Sequence, residues 1–191
     1  MLLPSDDDLA NFAAHAPLKG VCFTDASDHI VSQALYFDDP EGNGVEVYAD
    51  RPLKTWRWHG TRVEMDSIPI DVAALASKSS GLWRGFPDAT RMGHIHLRVA
   101  DLNRSEAWYR TLGLVTTASI PGARFMSWNG YHHQVGINVW SGAGVEAVYE
   151  GAAGLAGFAI RGASREDVQR DPDGIRVARS CATPSGNSES R

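Results

Sequence analysis

Three short stretches hold the residues best able to do chemistry. In "DHIVSQALYFDDPEGNGVEVYADRP", from Asp28 to Pro52, His29, Tyr36 and Glu46 flank a tight acidic turn. In "GHIHLRVA", His94 and His96 stand two residues apart, and "GYHHQVGINVW" contains His132 and His133. Imidazoles and a carboxylate brought to one place could hold a metal ion. A tyrosine hydroxyl donates a hydrogen bond to a developing anion without being charged itself. A histidine takes up or releases a proton near neutral pH. Each residue also has a plainer alternative: a solvent-facing strand glutamate, a core tyrosine with its polar tip satisfied, a loop histidine, a polar sheet surface.

The elements that must position these groups follow from hydrophobic period and turn chemistry. Residues Asp6 to Ala16 place Leu9, Phe12 and Ala13 at helical spacing, with Ser5 as N-cap. "QALYFDD" and "GVEVYAD" are predicted strands joined by the turn "DPEGNG". From Arg51 to Thr90 the pattern is irregular but rich in tryptophan, with a short helix over "DVAALASK", which predicts an ordered linker. "GHIHLRVA" alternates, with Ile95, Leu97 and Val99 on one face and His94, His96 and Arg98 on the other. "DLNRSEAWYRTLGL" predicts a helix capped by Asp101, with Leu102, Trp108 and Leu112 as its apolar face and Gly113 at its end. Strands over "LVTTASI", "RFMSWN" and "HQVGINVW" complete a βαβββ unit. On that last strand His132 and His133, being adjacent, would point oppositely. A strand over "GLAGFAIRG", a short helix over "SREDVQ" and the segment "RDPDGIRVAR" follow.

One internal echo separates structure from chemistry. "DDPEGNGVEV" (Asp38 to Val47) and "RDPDGIRVAR" (Arg170 to Arg179) share a D-P-acid-G turn and a short alternating strand. Where the first has Glu46, the second has Ala178. The turn therefore does not require the glutamate.

Composition excludes several classes of function. The 191 residues are 43% hydrophobic, 21% charged and 9% aromatic, with a net charge of −5, so a broad basic surface for nucleic acid is not expected. The two cysteines, Cys22 and Cys181, show neither zinc-ligand spacing nor a disulfide framework, and no apolar run is long enough for a membrane span. The start, "MLLPSDDDLANF", is too acidic for a signal peptide, and the cytoplasm is the expected location. No glycine-rich phosphate loop and no G-x-S-x-G elbow is present.

"SDHIVSQALYFDDPEGNGVEVYADRP", "MGHIHLRVADLNRSEAWYRTLGL" and "NGYHHQVGINVW" together resemble the vicinal oxygen chelate superfamily of glyoxalases, bleomycin-resistance proteins and extradiol dioxygenases. The nearest resemblance is to its catechol 2,3-dioxygenase-like members, over most of residues 8–180. It implies an α+β fold of paired βαβββ modules, the glyoxalase/bleomycin resistance/dioxygenase fold, here as an N-terminal half-module plus one module pair. The expected boundaries are a partial module over 1–52 lacking its first strand, a linker over 53–90, a two-module domain over 91–180 with its second module shortened, and a disordered tail over 181–191.

The resemblance also implies roles. Glu46 and His94 match metal-ligand positions, with His133 as a third candidate; His29 and Tyr36 match groups that serve the substrate in catalysis. His96, Arg98 and Asn138 are weaker candidates for polar substrate contacts. The implied metal is Fe(II), or another divalent ion such as Mn(II). The implied reaction is extradiol cleavage of a catecholic ring by dioxygen, with a small aromatic substrate, no nucleic acid and no membrane as partners, and a homodimer completing a split site. Glyoxalase-like lyase chemistry and a metal-free, resistance-type binding module are the alternatives. Two departures bear on the choice: Gly157 stands where the family often has a ligand histidine, and Ala178 replaces the carboxylate.

Overall fold

A computed structural model describes residues 1–140, 154–161 and 167–180. The chain divides into two compact units: Met1–His96 with Val115–Ile120 and Arg124–Gly136, and Leu97–Leu114 with Pro121–Ala123 and Ile137–Arg191. The fold class is α+β. The expected disordered tail lies outside the described residues.

The first 50 residues run β1 (Leu2–Leu3), α1 (Asp6–His15), β2 (Asp25–Asp28), β3 (Ser32–Asp38) and β4 (Gly44–Asp50). α1 starts where expected, because the Ser5 hydroxyl accepts from the Asp8 N–H and three aspartates occupy its first turn. β1 runs parallel to β4, and the sheet order is β1-β4-β3-β2. The first strand that the sequence reading finds missing is therefore present as a two-residue strand. Its apolar residues, Leu2 and Leu3, are too few to show a period in the sequence.

Alternation along β3 and β4 sorts this sheet into two faces. Leu35, Val47 and Ala49 pack with Leu9, Phe12 and Ala13 of α1 in one core. Leu2, Ala34 and Tyr48 form a second cluster, with Tyr36 packed against it. The strands pair Tyr36 with Glu46, Ala34 with Tyr48 and Ser32 with Asp50, so Glu46, Tyr48 and Asp50 share the face away from α1.

After a 3₁₀ turn at Leu53–Thr55 come β5 (Trp58–His59), β6 (Arg62–Val63), β7 (Ile68–Pro69) and α2 (Val72–Ala76). β7 extends the first sheet beside β2. Trp56 is buried with Val31 and Val63, and Trp83 packs against the α1 core, so the aromatic residues of this segment do anchor it.

A second βαβββ sequence comprises β8 (Ile95–Arg98), α3 (Leu102–Thr111), β9 (Val115–Ile120), β10 (Ala123–Ser127) and β11 (Val135–Asn138), in the order β8-β11-β10-β9. The matching orders make these two copies of one module. Asp101 caps α3 by accepting from the Arg104 N–H, and Gly113 follows it at φ 93°. The fully buried residues of α3 are Ser105 and Tyr109, with Leu102, Trp108 and Leu112 only half-buried.

The last strands are β12 (Gly157–Arg161), β13 (Asp167–Arg170) and β14 (Arg176–Ser180), in the order β12-β14-β13. The short helix predicted over "SREDVQ" is not formed where it is described. Asp167–Arg170 pairs antiparallel with β14, because the D-P-D-G turn folds the chain back as a hairpin.

Candidate functional site

Glu46 and His94 meet. The glutamate Oε2 lies 2.7 Å from His94 Nε2, with both side chains largely buried. Burial alone would raise the Glu46 carboxyl, but His94 and more distant His29 outweigh it and hold the group down at about 2. The other ring nitrogen of His94, Nδ1, lies 3.0 Å from the Tyr48 hydroxyl. Gly93 makes this approach possible, because a Cβ there would sit 1.7 Å from the Tyr48 oxygen.

Beside Glu46 stand Tyr36 and His29. Tyr36 is its cross-strand partner, and burial beside the Glu46 carboxylate raises the pKa of its hydroxyl. Tyr36 also lies 2.7 Å from His29 Nε2, while His29 Nδ1 lies 2.7 Å from the Asp66 carbonyl oxygen. A carbonyl only accepts, so His29 Nδ1 bears a proton. With that proton on Nδ1, Nε2 is the acceptor and the Tyr36 hydroxyl donates to it. His29 is held in a tight β2–β3 turn in which Ile30 takes φ 70°, a strained conformation for a β-branched residue. Asp28 stabilises that turn by accepting from the Ile30 N–H and pairing with Arg51.

His132 and His133 do not point oppositely. The strand starts only at Val135, so both histidines lie in a bend and their rings stand side by side, 4.6 Å apart, with Nδ1 to Nδ1 at 2.7 Å. The His133 ring centre lies 4.3 Å from that of His94. Burial depresses the pKa of both His132 and His133 and keeps them neutral; hydrogen bonding to Asp50 partly offsets this for His132. His96 joins the cluster against Phe125, in space left by Gly136, and burial near His94 lowers its pKa as well.

The residues most central to this network were not among the sequence candidates. Asp50 accepts from the Tyr131 hydroxyl at 2.8 Å and lies 3.0 Å from His132 Nε2, while Tyr131 and Tyr48 share a 3.0 Å hydrogen bond. The signal for two of them was present: in "GVEVYAD" the period of two that exposes Glu46 places Tyr48 and Asp50 on its face.

Burial of neutral imidazoles beside a carboxylate matches the donor chemistry of a divalent metal. Among the described residues, however, no group of three or more His, Cys, Asp or Glu side chains is arranged to hold a metal ion. On β12, Gly157 leaves no room for a histidine side chain, since a Cβ would lie 2.5 Å from the Arg176 carbonyl oxygen.

Over 165 residues the chain is 36% identical to a catechol-2,3-dioxygenase of Bacillus subtilis (strain 168). The match covers 84% of this chain and 58% of that relative's length. No protein-family model matches the chain. Among solved structures, a crystal structure of catechol 2,3-dioxygenase matches at TM-score 0.35 and 16% identity, over 95% of this chain and 67% of the other. The 2,2',3-trihydroxybiphenyl 1,2-dioxygenase of dibenzofuran-degrading Sphingomonas wittichii strain RW1 matches at TM-score 0.28 and 18% identity, over 94% and 68%. No helix among the described residues is long and apolar enough to cross a membrane.

Proposed function

We propose that this chain contributes the working residues of an extradiol-type dioxygenase acting on a catecholic aromatic with dioxygen. The observation that carries the proposal is the convergence of Glu46 and His94 at 2.7 Å, with Tyr36 and His29 aligned beside the carboxylate. In this reading Glu46 and His94 are ligands of a divalent metal, Fe(II) or Mn(II), with His133 the nearest third candidate. The metal, when bound, would supply a Lewis acid that draws both catechol oxygens and dioxygen together. Tyr36 would donate to a substrate oxygen and His29 would hold or return its proton, the exchange their hydrogen bond allows. The similarity to the Bacillus subtilis catechol-2,3-dioxygenase supports the substrate class. A homodimer and a cytoplasmic setting belong to the same proposal.

A second reading has an observation of its own. Because no three metal-ligating side chains converge among the described residues, a metal-free module binding an aromatic small molecule is the alternative. One experiment separates the two. Protein purified anaerobically with iron is analysed for bound metal and for dioxygen uptake with catechol. The dioxygenase reading expects retained iron, uptake and a yellow product. It also expects loss of iron in Glu46→Gln, and about 100-fold slower turnover with iron retained in Tyr36→Phe. Metal-free wild-type protein that consumes no dioxygen would overturn it.

A further inference from the structure

We propose that Arg51 is a positioning residue for His29: through its ion pair with Asp28 it maintains the strained turn at Ile30 that aims the His29 ring at Tyr36. The roles of His29 and Tyr36 rest on the dioxygenase reading; the hold of Arg51 on their geometry does not.

The starting point is Ile30, the one non-glycine residue with a positive φ among the described residues, at 70°. A β-branched side chain is strained there, and such a conformation persists only where the surroundings over-determine it. Those surroundings converge on Asp28 and Arg51. The Asp28 Oδ1 accepts from the Ile30 N–H at 2.8 Å, and its Oδ2 pairs with the Arg51 guanidinium. Arg51 also donates its own N–H to the Val31 carbonyl at 2.8 Å. Its carbonyl accepts from Trp56 Nε1–H at 3.1 Å, and the Trp56 ring is buried with Val31. Arg51 thus binds both sides of the kink, one through its side chain and one through its backbone. An exposed ion pair orders little by itself, but here both side chains are half-buried.

The residue between Asp28 and Ile30 is His29. Its N–H donates to the Ser32 carbonyl at 2.8 Å, so its backbone is part of the same turn. Its ring is held at both nitrogens, by the Asp66 carbonyl and by the Tyr36 hydroxyl, each at 2.7 Å. The Asp66 end is located from Asp28 as well, because β7 pairs with β2 with Ile68 opposite Asp28. Relaxation of Ile30 to an ordinary negative φ would turn the chain just after His29 and move its ring relative to Tyr36, which is fixed on β3. Without the charge of Arg51, Asp28 loses the partner that anchors it while it caps Ile30.

The test follows the contact between the two rings in the full chain, without added metal, by nuclear Overhauser spectroscopy with ¹³C-labelled histidine and tyrosine. Wild-type protein should show contacts between the His29 and Tyr36 ring protons. Arg51→Gln should lose them with its circular dichroism spectrum unchanged. Arg51→Gln/Ile30→Gly should regain them, because glycine takes a positive φ without strain and the turn no longer needs the clamp. A merely stabilising ion pair would show no such rescue. With iron supplied and dioxygen uptake followed on catechol, Arg51→Gln should lower kcat about 10- to 100-fold, with KM and bound iron close to wild type, and the double variant should recover. Retention of the ring contact in folded Arg51→Gln would overturn the proposal. So would failure of the double variant to regain it, or an unchanged kcat once the contact is lost. If Arg51→Gln does not fold, Asp28→Asn decides. Its amide keeps an acceptor for the Ile30 N–H but removes the charge that holds Arg51, so the contact should again be lost and again return with Ile30→Gly; an undisturbed contact would overturn the proposal equally. Protein that follows this pattern of contacts but consumes no dioxygen would refute the dioxygenase reading and still support the hold of Arg51 on His29.

Discussion

Gly93→Ala should destabilise the protein far more than a single methyl group would suggest. The new Cβ would lie 1.7 Å from the Tyr48 oxygen, 2.6 Å from Tyr48 Cζ and 3.1 Å from Leu2 Cβ. Tyr48 cannot swing into solvent, because it has no exposed surface and its ring packs 4.8 Å from that of His94. Relief must come from displacing the phenol. Overpacking of this kind costs about 1–3 kcal/mol. Losing the hydrogen bonds to Tyr131 and His94 adds about 1 kcal/mol each. The sum is about 3–5 kcal/mol, a large share of a typical domain's ~5–15 kcal/mol, and corresponds to a fall of about 6–20 °C in Tm. Urea denaturation followed by circular dichroism measures it, with an unchanged m-value showing that the loss is one of stability. The double variant Tyr48→Phe/Gly93→Ala lacks the oxygen that makes the shortest contact, so its loss should fall short of the sum of the single losses by about 1 kcal/mol or more. A Gly93→Ala protein within about 0.5 kcal/mol of wild type, the range of an ordinary surface change, would refute the packing argument; so would strict additivity.

Stability should fall with pH below about 6.5. Burial holds the His133 and His132 pKa values below 6.5, so between the folded and unfolded values the unfolded chain binds more protons and acid favours unfolding. Glu46 has the same sign lower down: its contribution is present above 4.5 and is lost as pH falls towards about 2. Urea midpoints at pH 7.5 and 5.5 check the upper window, and His133→Gln should flatten the slope there; a slope unaffected by that change would count against burial as its cause. Gly157→Ala should cost about 1–3 kcal/mol, because its Cβ would come within 2.5 Å of a strand carbonyl; thermal melting measures this, and a neutral substitution would show that β12 can shift away from β14.

What the sequence revealed and what it concealed divide along a physical line. α1, α3 and the β3–β4 hairpin were legible because each has a strong local signal: a Ser5 or Asp101 cap, a helical apolar period, or a turn of Asp, Pro, Gly and Asn. β1 was not, because two residues make no period and its pairing with β4 is long-range. β13 carries charged and polar residues that suit a helix locally, and only its pairing with β14 makes it a strand. The site divides in the same way. Glu46, Tyr36 and His29 lie within 18 residues and share one hairpin region, whereas Tyr131 and Asp50 are 81 residues apart and their bond is visible only in the folded chain. His132 and His133 were misplaced for a local reason: the strand starts two residues later than alternation suggested, and a bend puts both rings on one side.

The two D-P-acid-G hairpins show why Glu46 is placed by register and not by the turn. In the first, Asp39 accepts from the N–H groups of Glu41 and Asn43, and Gly42 donates back to the Asp39 carbonyl. In the second, Asp171 accepts from Asp173 and Ile175, and Gly174 donates back to Asp171 in the same way. The registers match too, Asp38 opposite Gly44 and Arg170 opposite Arg176, so Glu46 and Ala178 occupy equivalent points. What differs is the work of the acids. Asp171 and Asp173 are buried and take hydrogen bonds from Tyr109 and Ser105 of α3, fastening a helix to the turn. Asp39 only orders its own exposed loop. Since side chains alternate along a strand, a slip of one residue in the first hairpin would turn Glu46, Tyr48 and Asp50 together onto the face covered by α1. The turn closed by Asp39 and Gly42 fixes the register, and through it a carboxylate for His94, a partner for Tyr36 and the acceptor for Tyr131 and His132 all share one face of the sheet.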